Sequence, residues 1–139
     1  MPRFVVLHHQ CPPGYPRASH WDFMLEADGT LRTWALAARP DTDSPIDAEA
    51  LADHRLAYLE LAGPLSGGRG SVSRYDRGEY RAEQWRPEMV VVRLSGARLS
   101  GRATLLTDGS DAQRWRFWFL PDASVSAGGD VGDTGGSSA

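Results

Sequence analysis

The sequence predicts an all-β fold, a small closed antiparallel β-barrel with one short helix around residues 45–52. Three observations lead there. Apolar residues recur at every second position in short runs, the period of a strand whose side chains point alternately to opposite faces. Clusters of Gly, Pro, Asp and Ser separate those runs at short intervals. Repeated strands of this length, joined by short turns, close into a barrel or stack as a sandwich.

The elements follow in order. "RFVVLHH" (3–9) is the first strand, and "CPPGYPRAS" (11–19), with three prolines and a glycine, is a loop. "HWDFMLEA" and "TLRTWALA" flank Asp28-Gly29, a favoured hairpin turn. "DTDSPIDAEALADH" is expected to supply the helix, with Ser44 as cap, Pro45 in the first turn and Asp47 at a capping-box position. "LAYLELAG" (56–63) reads as a strand and "PLSGGRG" as a loop. "SVSRYDRGEYRAEQW" reads as a hairpin bent at Arg77-Gly78. "EMVVVRLSG" is partly apolar on both faces, as in a central strand. "RLSGRATLLTD" and "RWRFWFLP" complete the set, the last with Trp115, Phe117 and Phe119 inward and Arg114, Arg116 and Trp118 outward. Residues 1–121 read as one domain. The Gly-, Ser- and Asp-rich stretch 122–139 has too little apolar surface to offset its chain entropy and is expected to be a disordered tail.

Composition limits the function classes. A net charge of −3 provides no global basic field, which argues against a strong non-specific duplex binder. All fifteen basic residues are arginine, a preference too general to locate a site. Cys11 is the single cysteine, so no intrachain disulfide and no cysteine-rich metal site can form. No apolar run approaches the roughly 20 residues of a membrane span, and no signal peptide is evident. The expected location is cytoplasmic, without membrane contact, and the expected state is a monomer.

"SHWDFMLEADGT" (19–30) poses the functional question. Trp21, Phe23, Leu25 and Ala27 form a hydrophobic wall, while His20, Asp22, Met24 and Glu26 share the other face. The chain has four histidines: His8, His9, His20 and His54. His20 and Asp22 lie about 6–7 Å apart along one strand face, close enough to converge on one ion. Either His8 or His9, at the end of the neighbouring strand, can add a third ligand. Two imidazoles and a carboxylate suit a first-row transition metal and leave positions open for water or substrate. The bland alternative is a hydrogen-bonded structural histidine, because His-x-Asp is short and arises often by chance. His54 and Tyr58, four residues apart, can share a strand face and contact a phosphate or move a proton. A tyrosine that merely anchors a strand is the plainer explanation.

Five segments in one order then carry a resemblance. "RFVVLHH", "HWDFMLEADGTLRTWALA", "DHRLAYLELAG", "GGRGSVSRYDRGEY" and "LSGARLSGRATLL" resemble the N-terminal 3′-phosphoesterase domain of bacterial DNA ligase D and its freestanding relatives. The resemblance implies a small antiparallel barrel that trims the 3′ ends of DNA or of RNA–DNA primer strands, removing a terminal 3′-phosphate or ribonucleoside with manganese. By position, His9, His20 and Asp22 would be the metal ligands and their metal Mn²⁺, with Zn²⁺ or Co²⁺ as alternatives. His54 and Tyr58 would be the catalytic pair facing the phosphate, and Glu26 would orient the site from behind its ligands. The ligands are expected to meet inside the mouth of the barrel. Separate ligase or polymerase repair proteins would be the partners.

Three departures from the pattern stand out. Met24 occupies the position of the family's Arg, the acidic stretch before Asp53-His54 carries no Arg, and the loop of ten residues between His9 and His20 is longer than usual. Arg17, Arg69 and Arg74 are the candidates to take over phosphate contact. Two other function classes stay open. One is a catalytically degenerate module that binds a metal, a nucleic-acid end or a repair partner. The other is an iron oxygenase built on His20-x-Asp22…His54.

Overall fold

The computed structural model describes residues 1–123, and residues 124–139, which carry most of the expected tail, lie outside the described residues. Strand β1 (Arg3–Gln10) pairs antiparallel with β2 (His20–Ala27), which turns into β3 (Thr30–Leu36). The turn is the expected one: Asp28 and Gly29 take φ of 53° and 80°, the two positive values that a tight hairpin matching strand twist demands. Then come β4 (Ile46–His54), a 3-10 turn (Leu56–Glu60), the two-residue β5 (Gly63–Pro64), β6 (Ser71–Arg86), β7 (Met89–Gly96), β8 (Ser100–Leu106) and β9 (Arg114–Pro121). The sheet runs β1-β2-β3-β4-β9-β8-β7-β6-β5, and a further β1–β6 pairing closes it into a ring. All pairings are antiparallel.

Three local expectations are corrected. Residues 45–52, expected to be helical, belong to β4. Ile46, Ala48 and Ala50 alternate toward the core while Asp47 faces out, and the segment hydrogen-bonds β3 on one side and β9 on the other. Without this strand the ring could not close, so pairing overrides a sequence that would suit a capped helix. Residues 56–63 form the 3-10 turn and its exit rather than a strand. Residues 71–86 are one strand, not a hairpin. Gly78 lies inside β6 because a Cβ there would sit 2.1 Å from the Ser95 carbonyl oxygen, so the glycine marks close backbone approach rather than a turn.

Two apolar clusters result. The larger fills the ring with alternate residues of every long strand, among them Phe4, Val6, Phe23, Leu25, Trp34, Leu36, Val92, Leu105, Trp115 and Phe117. The smaller lies on the outside of the wall, where Val5, Leu7, Met24, Leu31 and Val72 are covered by Leu59, with Leu56, Tyr58, Leu61 and Leu65 packed around it. Segment 56–65 is thus a cover clamped onto the outer faces of β1, β2 and β3. Asp76 secures the opposite wall. Its buried carboxylate accepts the backbone N–H groups of Ala97 (3.0 Å), Arg98 (3.0 Å) and Leu99 (2.7 Å), which holds the β7–β8 turn.

Candidate metal centre and phosphate pocket

The cover answers the question posed by β2. His20, Asp22 and Met24 alternate with the ring-filling Phe23 and Leu25, so they face outward, yet all three are buried beneath the 11–19 loop and the 54–70 segment. The predicted cluster therefore assembles on the outer wall, not inside the mouth. The interior has no room for it, because apolar side chains from all around the ring already fill it.

Register decides which histidine of β1 takes part. His9 pairs directly with His20 and Leu7 with Asp22, so His9 shares their face. His8 points the other way and stacks on Trp21, with ring centroids 4.2 Å apart and planes 5° from parallel. Burial, then the neighbouring His20 and His9, lower the pKa of His8. His9 Nε2–H donates to the Arg69 carbonyl at 2.8 Å, and His20 Nδ1–H donates to the Ala18 carbonyl at 2.8 Å. A carbonyl can only accept, so these two nitrogens carry hydrogen, and His9 Nδ1 and His20 Nε2 are the ring nitrogens left for an ion or a proton. Both aim at Asp22: His9 Nδ1 lies 4.0 Å from Oδ2 and His20 Nε2 lies 3.0 Å from Oδ1.

Asp22 is the unusual member. Its side chain is only 8% exposed, and among the described residues Oδ1 has no hydrogen-bond partner, because the 3.0 Å approach of His20 is not an aligned bond. A buried carboxylate oxygen without a donor costs roughly 1–3 kcal/mol or more. Burial by itself would lower the pKa of His20, but Asp22 and the Ala18 carbonyl outweigh it against the opposing charge of Arg17, and the pKa is raised. Two imidazoles locked by backbone acceptors, facing a carboxylate oxygen that lacks a partner, fit a divalent cation: locking the far nitrogen to a carbonyl is how metal-binding histidines are oriented. Cys11 sits beside them, with one donor atom each from His9, Cys11 and His20 all within 4.8 Å of one another. Burial and Asp22 raise the pKa of the Cys11 thiol, and Arg17 opposes them.

The remaining predicted residues divide. A pocket of about 170 Å³ is lined by His9, His20, Asp22, His54, Tyr58, Arg17 and Arg69, and also by Tyr15. His54 and Tyr58 do meet, but not along a strand. β4 ends at His54, and the 3-10 turn brings Tyr58 back edge-on to its ring at 4.9 Å and 86°. His54 Nδ1–H is held by the Ala52 carbonyl at 2.9 Å, leaving Nε2 as the free nitrogen. Arg17 is ion-paired with Glu49, and Arg69 donates to the Ser66 carbonyl and hydroxyl at 2.8 and 3.1 Å. Arg74 is not among the lining residues; it is exposed, with Glu60 3.7 Å away. Glu26 is corrected too. It binds Arg3 through both carboxylate oxygens at 3.0 Å, at the other end of β2, and takes no part in the pocket. Met24 follows Asp22 on the same face but is wholly buried in the outer apolar cluster.

Sequence reasoning passed over two residues, Tyr15 and Cys11. Both lie on the 11–19 loop, whose prolines announce a loop but not which way it folds. Tyr15 packs edge-on to His9, with centroids 6.0 Å apart. Next to the pocket, and sharing Arg17 and His20 with it, runs an open groove of about 1000 Å³ lined by Glu49, Asp108, Arg114 and Arg116 among others.

Comparison with known proteins places this geometry. The chain is 32% identical over 121 residues to the multifunctional non-homologous end joining DNA repair protein LigD of Mycobacterium tuberculosis, an alignment covering 81% of this chain and 15% of that protein. It is 32% identical over 114 residues to the multifunctional non-homologous end joining protein LigD of Pseudomonas aeruginosa, covering 75% of this chain and 14% of that protein. The chain thus spans about one-seventh of the length of these relatives. The family model described as the DNA Ligase D 3′-phosphoesterase domain matches residues 12–107, a span that includes His20, Asp22, His54 and Tyr58 and begins just after His9 and Cys11. That span is well over half of the 139 residues, and the chain belongs to the DNA ligase D 3′-phosphoesterase domain family.

Proposed function

We propose that this protein is a metal-dependent 3′-phosphoesterase that removes a 3′-phosphate or a 3′-ribonucleoside from the ends of DNA or primer strands during DNA repair. The observation that carries the reading is the buried Asp22 carboxylate, whose Oδ1 lacks an aligned donor among the described residues and lies 3.0 Å from His20, while its Oδ2 lies 4.0 Å from His9, the other nitrogen of each ring being already engaged. Family membership supports the reaction class.

His9, His20 and Asp22 hold the cation in this reading, with Mn²⁺ favoured by the family resemblance and Zn²⁺ or Co²⁺ compatible with the donors. The chemistry a divalent ion would supply there is polarisation of a phosphoryl oxygen and a bound water of lowered pKa. His54, its Nδ1–H fixed on Ala52, would act as the imidazolium, giving the proton on Nε2 to the leaving oxygen and becoming the neutral ring. Tyr58 buttresses that ring and turns its hydroxyl to the phosphoryl group. Arg17 and Arg69 supply the positive charge that Met24 does not, and the groove beside the pocket takes the rest of the strand. A chain of net charge −3 suits a protein that handles one terminal phosphate rather than a long duplex. A monomer in the cytoplasm, working with separate ligase or polymerase proteins, completes the proposal.

A second reading rests on Met24. Loss of a group that stabilises transition-state charge can cost about 10²–10³ in rate, and a module that keeps the metal site but only binds ends would tolerate it. The deciding experiment is turnover of a 3′-phosphate DNA primer with Mn²⁺ by the wild type, His20→Ala and His54→Ala. Activity that both variants lose supports the enzyme. Metal and primer binding without turnover supports the binding module.

A further inference from the structure

The family match begins at residue 12, one position past Cys11. Cys11 is nevertheless held beside His9 and His20 rather than left free. Its N–H donates to Ser19 Oγ at 2.9 Å, tying together the two ends of the 11–19 loop. The thiol contacts the Ala18 carbonyl at 3.7 Å, the same oxygen that accepts from His20 Nδ1–H. One carbonyl therefore positions both the sulfur and the imidazole. The second observation is Asp22, which lines the pocket with His9 and His20; its side chain is more than nine-tenths buried, and its Oδ1, 3.0 Å from His20 Nε2, has no aligned hydrogen-bond partner among the described residues.

We propose that Cys11 is a metal ligand, so that His9, Cys11, His20 and Asp22 form a four-donor site that takes Zn²⁺ or Co²⁺ in preference to Mn²⁺. This rests on the reading of His9, His20 and Asp22 as a metal centre and adds to it a ligand and a selectivity. Donors around a four-coordinate ion with metal–nitrogen bonds near 2.0 Å and metal–sulfur bonds near 2.3 Å lie roughly 3.3–3.8 Å apart. One donor atom each of His9, Cys11 and His20 already stands within 4.8 Å of the others, so these three need close by only about 1–1.5 Å, and Asp22 already lies 3.0 Å from His20 and 4.0 Å from His9. A thiolate strengthens binding of softer, later metals, whereas Mn²⁺ prefers oxygen and gains little from sulfur.

The test uses the full chain, stripped with a chelator under reducing conditions and titrated with Co²⁺. The wild type is expected to show visible ligand-field bands together with a near-ultraviolet thiolate-to-cobalt charge-transfer band. Cys11→Ser should keep the first and lose the second. In competition titrations its Zn²⁺ affinity should fall at least the 10–100-fold that follows from losing even an outer partner of a ligand, while its Mn²⁺ affinity changes little. Wild-type visible bands without the charge-transfer band, or unchanged Zn²⁺ affinity in Cys11→Ser, would overturn the Cys11 assignment and leave the three-ligand centre standing. Failure of wild type to retain Co²⁺ or Zn²⁺ in equilibrium dialysis would remove the centre itself, and Cys11 with it.

Discussion

Asp22→Asn gives the sharpest test of the metal centre, because it should act almost entirely through the metal. In the metal-stripped protein two effects oppose. The substitution relieves a buried charged oxygen that has no donor, and it gives up the electrostatic approach of His20 at 3.0 Å. Each is on the order of 1–3 kcal/mol, so the net change should stay within about 2 kcal/mol. With metal the two proteins separate. A cation at one hundred times its Kd stabilises the wild type by about 2.7 kcal/mol. For a chain of this size 1 kcal/mol is worth about 3–5 °C, so the melting temperature should rise by about 8–13 °C. A neutral carboxamide is a much poorer ligand. If the affinity falls a hundredfold, the same metal concentration stabilises the variant by only about 0.4 kcal/mol, or roughly 1–2 °C. Melts followed by circular dichroism with chelator, Mn²⁺ and Zn²⁺ measure both numbers. An Asp22→Asn variant with the full wild-type shift, or a wild type that no divalent metal stabilises, would refute the argument that the orphaned oxygen marks a cation site.

Other outcomes follow from the same geometry. Met24→Arg should cost about 2–5 kcal/mol in urea denaturation, since it replaces a fully buried apolar side chain with a charge, whereas Met24→Leu should cost less than about 1.5 kcal/mol. Asp76→Ala strands three backbone N–H groups and should lower stability by about 3 kcal/mol, a fall of roughly 9–15 °C in melting temperature, with metal binding unchanged in the folded protein. Tyr80 donates to the Glu26 carbonyl at 2.6 Å, and burial, then the charges of Glu26 and Asp28, push its pKa up to about 12. Because the folded pKa exceeds the unfolded value, the stability it contributes is full below about pH 10 and is lost as pH rises through 12. Melts between about pH 9 and 12 should fall more steeply for wild type than for Tyr80→Phe.

How far the sequence reveals this molecule depends on which physical rule each residue obeys. β1, β2, β3, β7 and β9 are read correctly as strands because each buries one face against the ring interior, and on β2 and β9 the alternation itself is legible. The Asp28-Gly29 turn is legible because its backbone needs two positive φ values. β4 is not legible, since Ser44, Pro45 and Asp47 satisfy every local rule for a helix start and only closure of the sheet between β3 and β9 makes the segment extended. Gly78 misleads for the opposite reason: a glycine looks like a turn, but here it makes room for the Ser95 carbonyl. Within the site, His20 and Asp22 are visible through period-two spacing. The choice of His9 over His8 needs the register with β2, and the presence of Cys11 and Tyr15 needs the path of a loop that no periodicity describes. Glu26 shares the face of Asp22, but that face extends to the far end of the strand, where Arg3 claims it.

The cover over β1, β2 and β3 links the fold to the chemistry, and Met24 belongs to that link. The ring is filled by apolar side chains, so a site needs a second layer, which segment 54–70 supplies. Leu59 and its neighbours dock on Val5, Leu7, Met24, Leu31 and Val72, and the same segment carries His54, Tyr58 and Arg69 to the pocket. Burying a methionine fully is worth about 1.5–3 kcal/mol, so Met24 strengthens the clamp that keeps those groups over His9, His20 and Asp22. In the proposed enzyme the charge absent from position 24 then has to come from Arg17 or Arg69, and neither is tightly held where it is. Arg17 must leave a partly exposed pairing with Glu49, the kind of contact worth roughly 0–1 kcal/mol. Arg69 must give up bonds to Ser66, both neutral acceptors at an exposed position. In the proposed enzyme an anionic phosphoryl group beside a cation would outcompete either, so the methionine would alter how the phosphate is held without removing the means to hold it.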